Sequence, residues 1–279
     1  MAGEPDQWIT NARRWALVGP PMKPSAQDIG FVERAIEQCV KRDPAGLRAV
    51  VLGVTPELAT LRWPAGTSVV GVDQSAPMIR AVWPRSGLAA RASVVRGDWR
   101  AMPLGTGTCN VAVGDGSFNC LAFPADYRRV SAELRRILGD GGVLILRTFV
   151  RAETREPLDT IVSDLWSGAT RSIHAFKLRL HMHLQPSTER GIRFGETWQL
   201  WRTLGIDART LADRTGHAIE EIDTIETYRD SSTSFSFPRL AEVREAWATD
   251  FEELACSTPA YELGDRCPTL VLRARAGTA

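Results

Sequence analysis

Residues 48–73 read RAVVLGVTPELATLRWPAGTSVVGVD, and this stretch decides the fold of the chain. An apolar run at Ala49–Leu52 meets a tight turn at Gly53, and a helix opening follows. A second apolar run at Val69–Val72 ends in Asp73. The order strand, turn, helix, strand is typical of a β-α-β unit in a parallel sheet. The stretch therefore predicts an α/β protein.

The turn and the acid after the second strand form a pattern that nucleoside cofactors use. Gly53 lets a ligand approach the backbone, and Asp73 follows 20 positions later, where its carboxylate can accept both ribose hydroxyls. Thr55 and Pro56 open the helix as its cap and its first residue. An ordinary β-α-β unit with an incidental aspartate is the alternative interpretation of these residues.

The same turn differs from a dinucleotide site. The six positions that would carry G-x-G-x-x-G read G-V-T-P-E-L. Glu57 places a negative charge in the first helical turn, where it would repel a diphosphate. A ligand with an amino group and one carboxylate tolerates that charge better, and S-adenosyl-L-methionine (SAM) is such a ligand. The residues therefore favour SAM over a nicotinamide dinucleotide.

Strand, turn and helix signals repeat after Asp73. Ser75 is the expected cap of the next helix, and Met78 should face the cofactor or the core. Apolar residues at spacings of three and four predict a later helix that stops at Gly139. Further strands are predicted at Ala92–Arg96, Cys109–Gly114 and Val143–Phe149. The residues that follow strands three and four are Gly97, Asp98, Trp99, Asp115, Gly116, Ser117, Phe118 and Asn119.

With these residues the chain resembles the class I (Rossmann-like) SAM-dependent methyltransferases over about residues 26–150. The family's E/D-x-G-x-G-x-G motif is reduced here to L-G-V-T-P-E, and a subset of the family carries such a Gly-Val-Thr-Pro-Glu turn. The resemblance implies a doubly wound, mostly parallel seven-stranded sheet with an inserted cap. It also implies that Asp73 holds the ribose, that Asp98 meets the adenine amino group and that Asp115–Asn119 flank the methyl group. The cofactor-binding residues implied are Gly53, Thr55, Asp73, Gln74, Met78, Asp98, Trp99, Asp115, Gly116 and Ser117.

Three segments lie outside the predicted SAM-binding core at 26–150. Residues 1–25 carry Trp8 and Trp15, seven apart on one helical face, and form either a packing helix or a lid over the site. Residues 151–205 are rich in aromatic residues and hold three of the four histidines, and the family commonly builds its substrate cap here. Residues 206–279 should complete the core sheet. Their predicted elements are a helix from Asp207 to Gly216, strand six at Ala218–Thr227, a helix from about Pro238 to Ala255, and strand seven at Thr269–Arg273.

The candidate catalytic residues are Asp115, Asn119, His174 and His181. A neutral imidazole can take a proton from an attacking phenol or amine, so His174 or His181 could act as a base. His181 and His183 would share a face on a strand, whereas His174 and His181 would share one on a helix. A third metal ligand is absent at a diagnostic spacing, so no metal is predicted. Transfer of a sulfonium methyl needs orientation above all, and the family has no universal catalytic residue.

Composition limits the function without defining it. The chain has 279 residues, 44% of them apolar, and a net charge of +1, which gives no electrostatic reason to expect nucleic acid. Asp115-Gly116-Ser117-Phe118 also differs from the N/D-P-P-Y of base N-methyltransferases. The five cysteines show no C-x-x-C spacing and favour the reducing cytoplasm. No apolar run approaches the length of a membrane span, and no signal peptide is recognisable.

The sequence therefore predicts a cytoplasmic SAM-dependent methyltransferase that acts on a small molecule, in the setting of secondary metabolism. The alternatives are an NAD(P)-dependent oxidoreductase and a non-catalytic SAM-binding protein on the same fold. The acceptor atom (O, N, S or C) and the oligomeric state stay open.

Overall fold

The computed structural model describes residues 9, 12–42, 46–84, 87–88 and 91–276. Trp8 lies outside the described residues. The strands are β1 (Arg48–Leu52), β2 (Ser68–Asp73), β3 (Arg91–Arg96), β4 (Val111–Asp115), β5 (Val143–Arg147), β6 (Ile192–Arg193), β7 (Ser234–Phe235), β8 (Phe251–Ser257) and β9 (Thr269–Ala274). The α-helices are α1 (Ala26–Arg42), α2 (Pro56–Ala59), α3 (Ala76–Val82), α4 (Ala125–Leu138), α5 (Leu158–Ser167), α6 (Ile173–Leu184), α7 (Phe194–Leu204), α8 (Ala208–Thr215), α9 (Ile219–Ile222) and α10 (Leu240–Trp247). Short 3₁₀ helices lie at Trp15–Leu17, Ser117–Cys120, Asp223–Tyr228 and Gly264–Arg266.

Seven strands form one sheet in the order β3-β2-β1-β4-β5-β9-β8. The first five are parallel, whereas β9 is antiparallel to both β5 and β8. The strand order reverses between β1 and β4, and at such a switch point the helices leave on opposite faces and open a crevice. The predicted doubly wound, mostly parallel seven-stranded sheet is confirmed, and the first five strands lie within two residues of their predicted bounds.

Two layers of apolar side chains cover the sheet. One layer packs α1 and α2 against β1, β2, β4 and β5. The other packs α4 and α10 on the opposite face around an aromatic group of Phe118, Tyr127, Trp247 and Phe251. The apolar positions of α4 are fully buried, as their spacing predicted, and the helix ends at Gly139 with a positive φ of 65°.

The prediction of strand six at Ala218–Thr227 is wrong. This segment forms α9 and the following 3₁₀ helix, because its buried residues Ile222, Ile225 and Tyr228 recur every third position and face one side. The sixth strand of the sheet is β8, an edge strand in which residues 252–256 are exposed. Such a strand lacks apolar alternation, and for this reason the predicted helix at 238–255 ran on beyond its true end at Trp247.

Helices α5 to α9 form a compact helical unit with a hydrophobic cluster of its own. The cluster includes Ile161, Phe176, Trp201, Leu211 and Tyr228. The helical unit therefore continues past residue 205, the predicted end of the insertion, into the 3₁₀ helix that ends at Tyr228. The helix predicted from Asp207 to Gly216 is confirmed as α8, with the Asp207 side chain accepting from Thr210 N at its start.

Asn119 joins three parts of the fold. Its side-chain amide Nδ2 donates to the carbonyl oxygens of Phe149 and Ser236, both at 2.8 Å. Its Oδ1 accepts from Phe149 N at 2.9 Å and from the Thr148 hydroxyl at 3.3 Å. The residue is fully buried, so the amide links the ends of β4 and β5 to the segment after β7.

We expect Asn119→Ala to destabilise the protein strongly, because each buried group left unpaired costs about 1–3 kcal/mol. Urea unfolding followed by circular dichroism measures the loss. Asn110→Ala is the matched control, since Asn110 Oδ1 accepts from Arg48 N at an exposed position, and it should cost about 1 kcal/mol or less. An Asn119→Ala protein as stable as the wild type would contradict this structural role.

Candidate functional site

Two adjoining cavities open at the carboxyl ends of β1, β2 and β4. The first encloses about 150 Å³ and the second about 170 Å³. Asp73, Trp99 and Cys120 line both of them. All ten predicted cofactor-binding residues line one or both cavities. The first is lined by Gly53, Thr55, Asp73, Met78, Trp99, Asp115, Gly116 and Ser117, and the second by Asp73, Gln74, Asp98 and Trp99.

The turn after β1 shapes the junction between the cavities. Gly53 has a φ of 102°, which side-chain-bearing residues rarely adopt, and its amide donates to Val72 O at 2.8 Å. A Cβ at this position would lie 3.7 Å from Asp73 Oδ2 and 3.8 Å from the Trp99 ring. The missing side chain therefore leaves open the space between carboxylate and indole. Thr55 precedes α2 as its cap residue, but its side chain makes no capping hydrogen bond, contrary to the sequence-based expectation.

The two residues on either side of this space are held in place by backbone contacts. Asp73 Oδ1 accepts from Ser75 N at 2.7 Å, which orients the carboxylate at the end of β2. Trp99 Nε1 donates to Val72 O at 2.6 Å, so the indole stands against the same strand end. Both groups are thus positioned before any ligand arrives.

Asp98 lies at the second cavity in a fork with Arg100. The distances are 3.0 Å from Arg100 Nε to Oδ1 and 2.7 Å from Arg100 Nη2 to Oδ2. The hydrogen bonds from Arg100 hold the pKa of Asp98 below its usual value, so the carboxylate is charged near neutral pH. Its side chain is 42% exposed, which leaves lone pairs available to a ligand. Sequence reasoning did not identify Arg100.

A buried ion pair lies beneath the first cavity. Arg147, at the end of β5, donates through Nη1 to Asp115 Oδ1 at 2.6 Å, and its Nε lies 3.6 Å from Asp28 Oδ2. Burial raises the pKa of Asp115 to about 6, and Arg147 opposes the shift. Sequence reasoning missed Arg147 because it occupies the last position of an otherwise apolar strand, VLILR.

The segment before α1, described over residues 12–25, covers the first cavity and is called the covering segment below. Arg147 Nη2 donates to the carbonyl oxygens of Pro21 and Lys23. Farther along, Ser172 Oγ donates to Pro20 O at 2.9 Å and Arg14 Nη1 donates to Asp223 O at 2.8 Å. These bonds attach the segment to both the sheet and the helical unit. The residues of this segment that line the cavity are Arg14, Trp15, Val18 and Met22.

The predicted candidate bases on α6 do not line either cavity. His174 Nε2 lies 3.0 Å from Leu17 O and so connects α6 to the covering segment. His181 Nδ1 lies 2.7 Å from Thr197 Oγ1, and its ring stacks 4.6 Å from the ring of Phe194. Burial lowers the pKa of each imidazole to about 3. Both histidines pack inside the protein, and Asn119, with its satisfied amide, also lies outside the cavity lining.

The helical unit contributes a different side to the first cavity. Lys177 reaches it from α6, one helical turn from each of His174 and His181. Burial lowers the pKa of Lys177 to about 7. The spacing of three and four places Lys177 on the same helical face as His174 and His181, but it does not by itself predict that this face is buried. The remaining lining residues that sequence reasoning did not assign to the site are Leu52, Val54, Cys120, Phe149, Phe194, Thr224, Thr227, Tyr228 and Phe235.

Two further features concern only the residues that the structure describes. In these ranges, no group of three or more histidine, cysteine, aspartate or glutamate side chains is arranged to hold a metal ion. None of the described helices combines the length and apolar character needed to cross a membrane.

Several solved structures, described as different kinds of protein, share this fold. A candidate Zn-dependent alcohol dehydrogenase from Rhodobacter sphaeroides has a TM-score of 0.55 at 18% identity, over 96% of this chain and 98% of that chain. A candidate O-methyltransferase from Nostoc punctiforme has 0.53 at 12% identity, over 95% and 60%. A chain in the complex of the Haloferax volcanii Trm112 methyltransferase activator with a candidate methyltransferase has 0.51 at 14%, over 99% and 100%. At these identities the likeness shows the fold alone.

The family comparison is more specific. No protein of curated function matches the sequence. Residues 52–146 match the family described as a methyltransferase domain, and this range, from the end of β1 to the end of β5, holds all ten predicted cofactor-binding residues. The comparison supports a methyltransferase domain over residues 52–146 and implies S-adenosyl-L-methionine as its cofactor.

Proposed function

We propose that this protein transfers the methyl group of SAM to a small molecule that is enclosed in the first cavity. One observation carries the proposal: the predicted cofactor residues and the aromatic residues of the helical unit line the same cavity. Phe194 and Tyr228 of the helical unit and Phe235 of β7 line it together with Gly53, Asp115 and Ser117. An acceptor held between the two groups would lie next to the cofactor.

The residues present suit SAM. The open space at Gly53 lies between the Asp73 carboxylate and the Trp99 indole, and it would take the ribose with its hydroxyls on Asp73. The adenine would occupy the second cavity, with Asp98 near its amino group. The methionine end would extend into the first cavity past Thr55 and Met78. The G-V-T-P-E turn then acts as a variant of the family's glycine-rich motif.

The enclosed, aromatic character of the first cavity favours a flat, apolar acceptor of small size. The covering segment and the helical unit approach it from two sides, so both can exclude water from the reacting groups. SAM supplies a methyl group on a good leaving group. The chain's own residues therefore need mainly to hold the acceptor in line with that methyl, which orientation alone can accelerate greatly. In this proposal the described residues 12–25 serve as a lid and the helical unit as the substrate cap.

Two alternatives make different predictions. An oxidoreductase would need a diphosphate at the turn after β1, where Glu57 lies in the first turn of α2. A non-catalytic SAM-binding protein would bind the cofactor and show no turnover with any acceptor. The five cysteines form no disulfide, in keeping with the proposed cytoplasmic location.

A thermal-shift comparison separates the cofactor classes. We expect S-adenosylhomocysteine and SAM to raise the melting temperature, because a ligand at 100 times its Kd adds about 2.7 kcal/mol of stability. For a domain of this size that amounts to about 5–10 °C. NAD and NADP at the same concentrations should give no shift. A shift with NADP alone would support the oxidoreductase instead.

Asp73→Ala should weaken S-adenosylhomocysteine binding by about 100-fold or more, because the two hydrogen bonds from the ribose hydroxyls to a charged carboxylate contribute about 1.5–3 kcal/mol each. Isothermal titration calorimetry measures the affinity. Asp265→Ala, which removes a side chain that is 68% exposed and lies outside both cavities, is the control and should bind as the wild type does. Unchanged affinity in Asp73→Ala would contradict the assignment of Asp73 to the ribose hydroxyls.

A further inference from the structure

We propose that Lys177 is the proton acceptor of the acceptor site, and that the acceptor presents an ionisable hydroxyl group, such as a phenol, to it. The inference rests on the proposed methyl transfer and adds to it the class of acceptor atom. It assigns the base to a residue other than the histidines that the sequence indicated.

Lys177 is the cationic residue of the helical unit that lines the first cavity. Its side chain is buried, with 2% of the residue exposed, yet it belongs to the cavity lining together with Asp115, Gly116 and Ser117. The wall around it is aromatic: Nζ lies 5.4 Å from the ring centroid of Tyr228, and Phe194 and Phe235 are further lining residues. A hydroxyl carried on an aromatic ring would find apolar walls and one amine.

The hydrogen bonding of Lys177 leaves the amine able to accept a proton. Nζ donates to Thr224 Oγ1 at 2.7 Å, and the Thr224 hydroxyl donates onward to Glu221 O. Thr224 is therefore the acceptor in this bond, so it does not occupy the lone pair of a neutral amine. Within the described part of the chain, Lys177 forms no ion pair that would fix the ammonium form.

Burial, and not the neighbouring charges, makes the neutral amine of Lys177 accessible near pH 7. Burial has the largest effect and lowers its pKa to about 7, whereas Glu221 opposes the shift. On α6 itself, His174 and His181 are uncharged. The other ionisable groups on elements around it are Arg14 and Lys23 from the covering segment, Glu221 from α9, Asp223 and Tyr228 from the 3₁₀ helix, and Asp115 across the cavity.

The use of lysine here is itself informative. The chain has three lysines among its 34 cationic side chains, and all the others are arginine. Arginine stays protonated in proteins, whereas a buried lysine can lose its proton and act as a base. Asp115 is a poorer candidate because Arg147 donates to its carboxylate at 2.6 Å.

The step is a single proton transfer. The O–H bond of the acceptor breaks, its electron pair stays on oxygen, and a new N–H bond forms on Nζ of Lys177. The products are an oxyanion and an ammonium group side by side. The oxyanion is the stronger nucleophile, and the proton leaves Lys177 for solvent when the site opens.

The test uses 4-nitrophenol as a probe, because its phenolate absorbs visible light and its phenol form does not. The wild-type protein saturated with S-adenosylhomocysteine is titrated with the probe, and the absorbance is followed from pH 5 to pH 9. We expect the bound probe to ionise about 1 pH unit or more below the free probe, the effect of an adjacent opposite charge. Lys177→Met should abolish this shift in the ionisation of the bound probe. Lys177→Arg should retain a shift, because arginine also carries a positive charge.

The Lys177→Arg variant also shows whether Lys177 acts as a base or only binds the oxyanion. With any acceptor found by screening, the arginine variant should lose most of its turnover at neutral pH, whereas a cation that only holds the oxyanion would keep it. Arg244→Met is the matched control on α10, where Arg244 pairs with Glu253 at 2.8 Å, and it should behave as the wild type does.

The outcomes distinguish this inference from the proposed function. If wild-type protein does not bind S-adenosylhomocysteine, the proposed function fails. If the cofactor product binds equally to wild type and Lys177→Met but the bound probe shows no shift in wild type, or the same shift in both, the assignment of Lys177 is overturned. Failure of the probe to bind the loaded protein overturns the hydroxyl acceptor.

Discussion

The buried guanidinium of Arg147 is the contact on which the candidate site depends. It is 2% exposed at the carboxyl end of β5, and a charge in such a place is tolerable only when it is paired and hydrogen bonded. Asp115 supplies the ion pair, Asp28 lies beside it, and the backbone carbonyls of Pro21 and Lys23 take further donors. One side chain thus joins the end of the sheet to the covering segment. The segment held there forms part of the wall of the first cavity.

Burial changes the pKa values of two groups that line the first cavity, and it does so in opposite directions. The pKa of Asp115 rises to about 6 and that of Lys177 falls to about 7, both because a poorly hydrated environment disfavours the charged form. Asp98, more exposed and paired with Arg100, has its pKa lowered instead. The proposed cofactor side therefore keeps a charged carboxylate for a polar ligand. The proposed acceptor side has few fixed charges, which would suit an apolar molecule.

Local sequence signals accounted for the first half of the fold and for the cofactor side of the site. The strands β1 to β5 are apolar runs that end in turns, and a parallel sheet places all the residues after those turns at one edge. The positions of Gly53, Asp73, Asp98 and Asp115 at this edge could be predicted in this way. Arg147 could not, because an arginine at a strand end looks exposed until its partners from distant segments are known. The segment 218–227 was wrongly predicted as a strand, although Ile219, Ile222 and Ile225 recur every third position, which is a helical period.

The choice among the polar residues of α6 shows what sequence periodicity can and cannot give. His174, Lys177 and His181 are three and four residues apart and share one helical face, so the pattern identifies a face but not which residue reaches the cavity. Packing distinguishes the three residues. His174 contacts Leu17 and His181 stacks on Phe194, whereas Lys177 lines the first cavity. Its pKa depends on the same enclosure. An opening that admits water would raise the pKa of Lys177 toward that of a free lysine, so closure of the covering segment and the ability of the amine to take a proton are thermodynamically coupled.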